Sequence, residues 1–372
     1  MSPSSAEARR VAVAVDRWSV PGGGLERYLE VVLPRLAAAR PEAELILCAV
    51  DADAGTPPGC LAQVLREPFL PRPWADRRLA AQLRKRLARL APDAVLNLRH
   101  LPVPGALWLP MGGLARAVEQ ARGRRLSARR GALLAMEEQA MRVAACALPS
   151  SPKVAAELAG AAPELAQELL PLPLLERPTG MATPYEDGAE LRVVACGRDA
   201  ARHGIEAALH WWLALRGRYP QARLDLWGKS LRHLEEALGE GAGALAILGV
   251  HLHGWDGLFS AALAEAHLFL HPTSYDSFSL ACLEAAARGV PVVTTAGAGV
   301  APLLPELLVA TAPREDPGPA ATVAAALLER HAAASAAERD AATAQVAADF
   351  DLDHHVIRLW ELFDAQVGAV RD

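Results

Sequence analysis

The sequence predicts an α/β protein of two doubly wound, parallel-sheet domains, and three observations carry that expectation. Short apolar runs alternate with helical stripes along both halves of the chain. Prolines and glycines break the periodicity between Leu169 and Gly188, and the alternation restarts beyond them. The length, 372 residues, exceeds what one hydrophobic core usually serves.

The first half opens with the β-branched run Arg10–Asp16, a strand, followed by the turn Pro21-Gly22-Gly23-Gly24. Leu25, Tyr28, Leu29, Val32, Leu33 and Leu36 then recur at helical spacing. Glu44–Val50 reads as a second strand, Trp74–Leu90 as a helix, and Asp93–Leu98, Ala106–Leu109 and Ala144–Pro149 as further strands. The second half repeats the alternation. Strand Leu191–Cys196 precedes helix Ile205–Arg218, and strands Arg223–Trp227 and Ala244–Leu248 precede helix Leu258–Glu265. Strand His267–His271, helix Ser279–Arg288 and strand Val290–Thr295 follow, and Leu352–Val367 closes the chain as a helix. The expected divisions are residues 1–176, residues 177–350, and a final helix, 351–372, packing back on the first domain. In such an architecture ligands bind outside the carboxyl ends of the strands, here in a cleft between two domains.

Composition narrows the function classes. With 52% hydrophobic and 22% charged residues the chain has the apolar content for sizeable cores. No apolar run is long enough to span a membrane, and Val11–Val15 is too short for a signal peptide, so the expected location is cytoplasmic. The five cysteines form no C-x-x-C pair and read as buried, reduced thiols. Residues 1–178 hold 24 Lys/Arg against 18 Asp/Glu, and the remainder 14 against 25. A basic first half points to an anionic partner. Its charge lies in two helical stretches, 74–90 and 116–130, either as solvated faces or as docking surfaces for anionic lipid or a phosphorylated glycolipid. Their basic runs lack interleaved aromatics, which argues against a nucleic-acid partner.

The sharpest chemical signal runs from His271 to Thr295 (HPTSYDSFSLACLEAAARGVPVVTT). A loop carrying Asp276 leads into a helix in which Glu284 stands among Leu283 and Ala285–Ala287. A carboxylate in so apolar a helix needs a polar partner, because an unpaired buried charge is costly. The whole string resembles the signature of retaining GT-B glycosyltransferases of the glycosyltransferase family 4 kind. In that signature an acidic residue, seven others and a glutamate precede A-x-G-x-P-V-V. The resemblance implies that Asp276 contacts donor sugar hydroxyls and Glu284 the nucleotide ribose. It also implies that the backbone N–H groups of Phe278, Ser279 and Leu280 face diphosphate or sugar oxygens.

Two glycine turns extend the resemblance over nearly the whole chain. Gly23 and Gly24, with Leu25, Glu26 and Arg27, match the family's amino-terminal glycine loop, and Cys196–Gly204 (CGRDAARHG) resembles its G-R-x-x-x-R-K-G turn. Arg198 and Arg202 are thereby implied to hold the donor diphosphate and act in catalysis, with His203 standing where lysine is usual. Asp276 itself replaces the usual glutamate. At Met111, in Trp108–Leu114, many relatives carry histidine. Either His100, eleven residues earlier, serves as that catalytic group, or the reaction dispenses with it, or activity is weak.

The implied fold is GT-B, two Rossmann-like domains with a C-terminal helix crossing back. The implied reaction moves a hexose from a UDP- or GDP-linked nucleotide sugar to a glycolipid or polysaccharide acceptor with retention, as in lipopolysaccharide core glycosyltransferases. Neither metal nor cofactor is expected, and the protein would lie peripherally on the inner face of the membrane. The alternative is a nucleotide-sugar-binding or assembly protein of the same fold with weak or lost catalysis. Asp51-Ala52-Asp53 spells a metal-binding D-x-D, but that triplet belongs to another fold. His251, His253, His354 and His355 lack a third ligand at plausible spacing.

Overall fold

The computed structural model describes all residues except 1–6, 19–22, 53–56, 67–68, 71–73, 122–127, 240–241, 256–257 and 372, together with the side chains at 16–17, 51–52, 128–129, 242–243 and 369–371. The chain divides into two compact units, one of residues 1–119, 123–175 and 350–372, the other of residues 120–122 and 176–349.

In the first unit β1 (Arg10–Trp18), α1 (Gly24–Ala39), β2 (Glu44–Ala52), β3 (Cys60–Leu65), α2 (Trp74–Leu90), β4 (Ala94–Asn97), β5 (Leu107–Trp108), α3 (Ala115–Ala121), α4 (Ala128–Val143), β6 (Cys146–Ala147) and α5 (Pro152–Ala161) follow one another. The second contains β7 (Arg192–Gly197), α6 (Ala200–His203), α7 (Ile205–Arg216), β8 (Arg223–Gly228), α8 (Leu231–Leu238), α9 (Ala242–Leu245), β9 (Val250–His253), α10 (Phe259–Ala264), β10 (Leu268–His271), α11 (Leu280–Ala286), β11 (Val292–Thr294), β12 (Val309–Thr311), α12 (Pro317–Ala333) and α13 (Ala336–Asp349). The last helix, α14 (Leu352–Arg371), belongs to the first unit.

Each unit holds a six-stranded parallel sheet, ordered β3-β2-β1-β4-β5-β6 and β12-β11-β10-β7-β8-β9. Renumbered within its own unit, the second sheet has the same order as the first. Both reverse direction where the first strand meets the fourth, at β1/β4 and at β7/β10. The crevice outside strand ends at such a reversal is where this class of sheet binds ligands.

The strands are apolar along their length because helices cover both faces. Val193 to Gly197 of β7 and all of β10 are buried. In the second unit Trp211, Trp212 and Leu215 of α7 pack with Leu224 and Leu226 of β8 and with Leu327 and Leu328 of α12. In the first, Leu79, Leu83 and Leu87 form the buried stripe of α2. Its cations Arg77, Arg78, Arg84, Lys85 and Arg89 lie on the exposed side. The final helix packs on α1. The Trp360 indole donates to the carbonyl of Leu36 at 3.2 Å, and Arg40 grips both oxygens of Asp364 at 2.6 and 2.8 Å. The Tyr28 hydroxyl meets His355 Nε2 at 2.9 Å, while His355 Nδ1 lies 3.0 Å from the carbonyl of Pro171.

One expected strand is corrected. Ala244–Leu248 is not a strand: α9 ends at Leu245, a 3₁₀ turn covers Ala246–Leu248, and β9 begins only at Val250. Alanine and leucine favour helix here, and Gly249 at φ +83° ends the turn in the left-handed region.

Candidate functional site

The second unit's reversal point is built from three segments sewn together by backbone contacts. The first leaves β7. A Cβ on Gly197 would stand 2.8 Å from the Cβ of His203, so only glycine lets the following turn fold down on the strand end. Asp199 caps α6 by accepting the Arg202 N–H at 3.2 Å. Gly204, at φ +75°, ends α6 and opens α7. A Cβ there would lie 2.2 Å from the carbonyl oxygen of Pro272, so this glycine presses the turn against the loop after β10.

Three bonds fix that approach. The carbonyl of Arg202 accepts from the Ser274 N–H at 2.8 Å and from Thr273 Oγ1 at 3.0 Å, and Arg202 Nη1 donates to the carbonyl of Tyr275 at 2.9 Å. The third segment follows β11. Thr295 Oγ1 donates to the carbonyl of Thr273 at 2.5 Å, and Asp276 exchanges backbone bonds of 2.9 Å with Gly297 and Gly299. Asp276 is thus held from both sides.

The charges around Asp276 are arranged to keep it ionised. Its Oδ2 lies 3.4 Å from Nε2 of the buried His271, whose ring centroid is 5.6 Å from that of His203. Burial by itself pushes the Asp276 carboxyl up, but the His271 ring beside it and the nearby Arg202 cation outweigh it and hold the group below the usual carboxylate range. His203 goes the other way. Burial first, then the neighbouring Arg202 cation, pulls its imidazole down to about 3, so the residue in the usual lysine position is neutral at physiological pH. Its Nδ1 faces the Asp199 N–H at 3.4 Å.

Asp276 Oδ1 accepts the Phe278 N–H at 3.3 Å, which turns the chain into Ser279. Ser279 has φ +76°, a left-handed conformation that non-glycine residues seldom adopt, and its hydroxyl donates to Cys282 Sγ at 3.2 Å rather than capping the helix. Leu280 opens α11, and Glu284 sits one turn along it, 8% exposed among the buried Cys282, Leu283, Ala285 and Ala286. Its carbonyl accepts from Arg288 Nη1 at 2.9 Å, and Arg288 Nη2 reaches Ser260 Oγ at 2.6 Å. Arg198, Arg202, His203, Asp276, Phe278, Ser279, Leu280 and Glu284 therefore belong to one neighbourhood, the loops after β7 and β10.

The other sequence candidates belong to the first unit. Gly23 precedes α1, and its N–H donates to Glu26 Oε2 at 2.6 Å, so this amide already has a partner; Gly24 is the helix's first residue. Pro21 and Gly22 lie outside the described residues, as do Asp53, Arg122, Arg124 and Arg125. His100 follows β4 and Met111 follows β5, where Met111 is buried. Among the described residues no three His, Cys, Asp or Glu side chains are grouped to hold a metal ion.

Sequence reasoning missed an aromatic group beside this site. At the carboxyl ends of β8 and β9, His253 stacks on Trp227 at 4.1 Å, with Phe259 and Trp255 beyond. Asp225 anchors it, taking His253 Nε2 at 2.9 Å on one oxygen and Arg223 on the other at 2.8 and 2.9 Å. The signal was present. Trp227-Gly228 repeats the strand-end glycine of Cys196-Gly197, and a Cβ on Gly228 would meet Leu234 at 2.5 Å.

Comparison with known proteins agrees with this geometry. Residues 190–330 match the family model described as glycosyl transferases group 1. Sucrose-phosphate synthase from Thermosynechococcus elongatus superposes with a TM-score of 0.77 at 18% identity, over 97% of this chain and 100% of that one. The chain has the two-sheet GT-B fold of that structure. WaaG, a glycosyltransferase involved in lipopolysaccharide biosynthesis, is similar at TM-score 0.68 and 18% identity, over 95% of this chain and 99% of that one. Anabaena HepE, solved with UDP and glucose, gives 0.66 and 16% over 96% and 100%. No curated protein matches the chain in sequence. The family match spans β7 to α12, so it covers every segment of the GT-B neighbourhood just described.

Proposed function

We propose that this GT-B protein transfers a hexose from a UDP- or GDP-linked sugar to a glycolipid or saccharide acceptor, with retention and without a metal. The observation that carries the reading is the convergence of the Arg198–His203 turn with the Asp276 loop and Glu284 at the second sheet's reversal point. In this reading Asp276 takes donor sugar hydroxyls and Glu284 the ribose. Arg198, the unused N–H groups of Arg202 and the amides of Ser279 and Leu280 stabilise the departing diphosphate. HepE, solved with UDP and glucose in the same fold, supports the donor class.

The acceptor reading rests on α2, whose exposed cations follow the exposed Phe69, Leu70 and Trp74. That combination suits an anionic lipid surface, with the acceptor held by the first unit. No helix among the described residues is long and apolar enough to cross a membrane.

Calorimetric titration of UDP-, GDP- and ADP-sugars in the presence of a chelator tests the donor claim. Binding with micromolar to millimolar affinity and release of the nucleotide diphosphate are the expected results; no binding of any donor refutes it. A second reading, a nucleotide-sugar-binding protein with little catalysis, is favoured by the neutral His203 and by the bonds that occupy Arg202. Donor binding without turnover or transfer in cell extract is its signature.

A further inference from the structure

A groove of about 560 Å³, within the size range of small-ligand sites, lies at the end of the second unit's sheet opposite the Arg198 and Asp276 loops. Two turns and a helix build it. The chain enters β7 through a turn closed by the Ala189 N–H on the carbonyl of Glu186 at 3.1 Å. It enters β8 through Tyr219-Pro220-Gln221-Ala222, closed by the Ala222 N–H on the Tyr219 carbonyl at 2.9 Å, with proline at the position that suits its fixed φ. Because β7 and β8 pair in parallel, with Arg192 beside Arg223, the two turns lie side by side, and α12 closes the groove with Leu328, itself 2% exposed.

The lining is aromatic and polar at once. Tyr185 and Tyr219, both half-buried, stand edge to face with ring centroids 5.6 Å apart and planes at 90°. Asp187 and Gln221 line the groove from the two turns as exposed residues, and Arg218, at the end of α7, forms an ion pair with Glu329 of α12. Two carboxylates against one guanidinium that is already paired disfavour an anion such as a nucleotide. A cation is held best by rings on several sides, but the third ring of this stack, His267, packs on Tyr185 at 5.7 Å and does not line the groove. What fits both the rings and the polar rim is a neutral ligand with apolar faces and many hydroxyls.

We propose that this groove binds a neutral oligosaccharide or polysaccharide, away from the transfer centre. A pyranose carries C–H groups on its faces and hydroxyls round its edge. The faces match a tyrosine ring, whose π surface is the negative pole of its quadrupole. The hydroxyls match carboxylate and amide groups, which offer both acceptors and donors. The six residues of β7, at about 3.3 Å each, set the groove about 20 Å from the Arg198 turn, so its ligand is distinct from the donor. Binding here stands without the glycosyl-transfer reading; only its use, keeping a glycan on the protein between transfers, rests on that reading.

Saturation-transfer NMR on the full chain, without donor, tests it with maltoheptaose, cellohexaose and dextran as probes. At least one should bind, with saturation strongest on its ring C–H protons. Tyr219→Ala should weaken that binding about tenfold or more while the native nucleotide-sugar affinity is retained. Asp187→Ala and Gln221→Ala, at exposed positions, should each weaken it severalfold and cover the case in which the tyrosine variant fails to fold. Binding of none of the three probes overturns the proposal, as does binding that all three substitutions leave unmoved. Choline, titrated alongside, marks a cation site if it binds where no saccharide does, and that result overturns the proposal too. Saccharide binding by a protein that takes no nucleotide sugar leaves the groove's role standing and removes the transfer reading alone.

Discussion

Replacing Gly204 by alanine places a methyl group 2.2 Å from the carbonyl oxygen of Pro272 and 3.0 Å from its carbonyl carbon. Two costs combine. A non-glycine residue at φ +75° costs about 1–2 kcal/mol, and forcing a carbon about 1 Å inside van der Waals contact with a backbone atom adds about 1–3 kcal/mol. The turn must therefore retreat from the loop. That movement breaks the 2.8 Å bond from Ser274 to the Arg202 carbonyl and the 2.9 Å bond from Arg202 to Tyr275. We expect Gly204→Ala to lower unfolding stability by about 2–5 kcal/mol in urea titrations and to weaken donor binding at least tenfold by calorimetry. Gly188 supplies the control. It has φ +82° with nothing within 4 Å of the position a Cβ would take, so Gly188→Ala should show only the conformational cost and native donor affinity. If the two variants are equally stable and bind donor alike, the pressed contact at Pro272 is not what shapes the site.

Other expectations follow from the same contacts. Glu284→Ala should weaken nucleotide binding roughly tenfold or more by calorimetry with the circular dichroism spectrum unchanged; native affinity would falsify the ribose role. His355, pulled down to about 4 by burial, stays neutral in the folded state while the unfolded chain protonates near 6.5. Stability is therefore full above pH 6.5 and declines as pH falls towards 4, by on the order of 3 kcal/mol for this residue. Urea midpoints should drop over that window and drop less in His355→Gln; a flat profile contradicts the assignment. Truncation at residue 349 removes Val356, Leu359, Trp360, Leu362, Phe363 and Val367, all buried, which is about 9–18 kcal/mol of apolar burial and more than a domain's usual margin. Proteolysis of the shortened protein should digest the first unit and spare residues 176–349. Co-sedimentation with anionic vesicles should fall as salt rises from 50 to 500 mM and fall further in Arg84→Glu; salt-independent binding argues against the exposed face of α2.

Much of this was legible because the relevant signals are local. The stripe Leu25 to Leu36, the bounds of α2 and the strand at Arg10 come from spacing alone, and the D-x7-E string places Asp276 and Glu284 one loop and one turn apart. What escaped depends on pairing across the sheet. His253 reaches Asp225 only through the register of β9 on β8, so it read as an ordinary strand residue. Tyr185 meets Tyr219 because β7 and β8 are neighbours, and no sequence spacing announces two rings brought together from separate turns. β3 went unread because Leu61 and Val64 of Cys60–Leu65 are exposed on an edge strand, which blurs its alternation. The helices α12 and α13 were missed because alanine on every side leaves no stripe to count.

The hydrogen bond from the Leu174 N–H to the carbonyl of Phe350, 2.8 Å long, joins the two ends of the first unit's chain that flank residues 176–349. The long stretch of the second unit, residues 176–349, is therefore entered and left at one point, whereas the first unit is assembled from both ends of the polypeptide. During synthesis the order of events is set by that arrangement. Residues 176–349 can complete their sheet while the ribosome is still translating, but α1 must wait with its Leu36, Arg40 and Tyr28 uncovered until α14 emerges. The half of the molecule made first is the half that folds last.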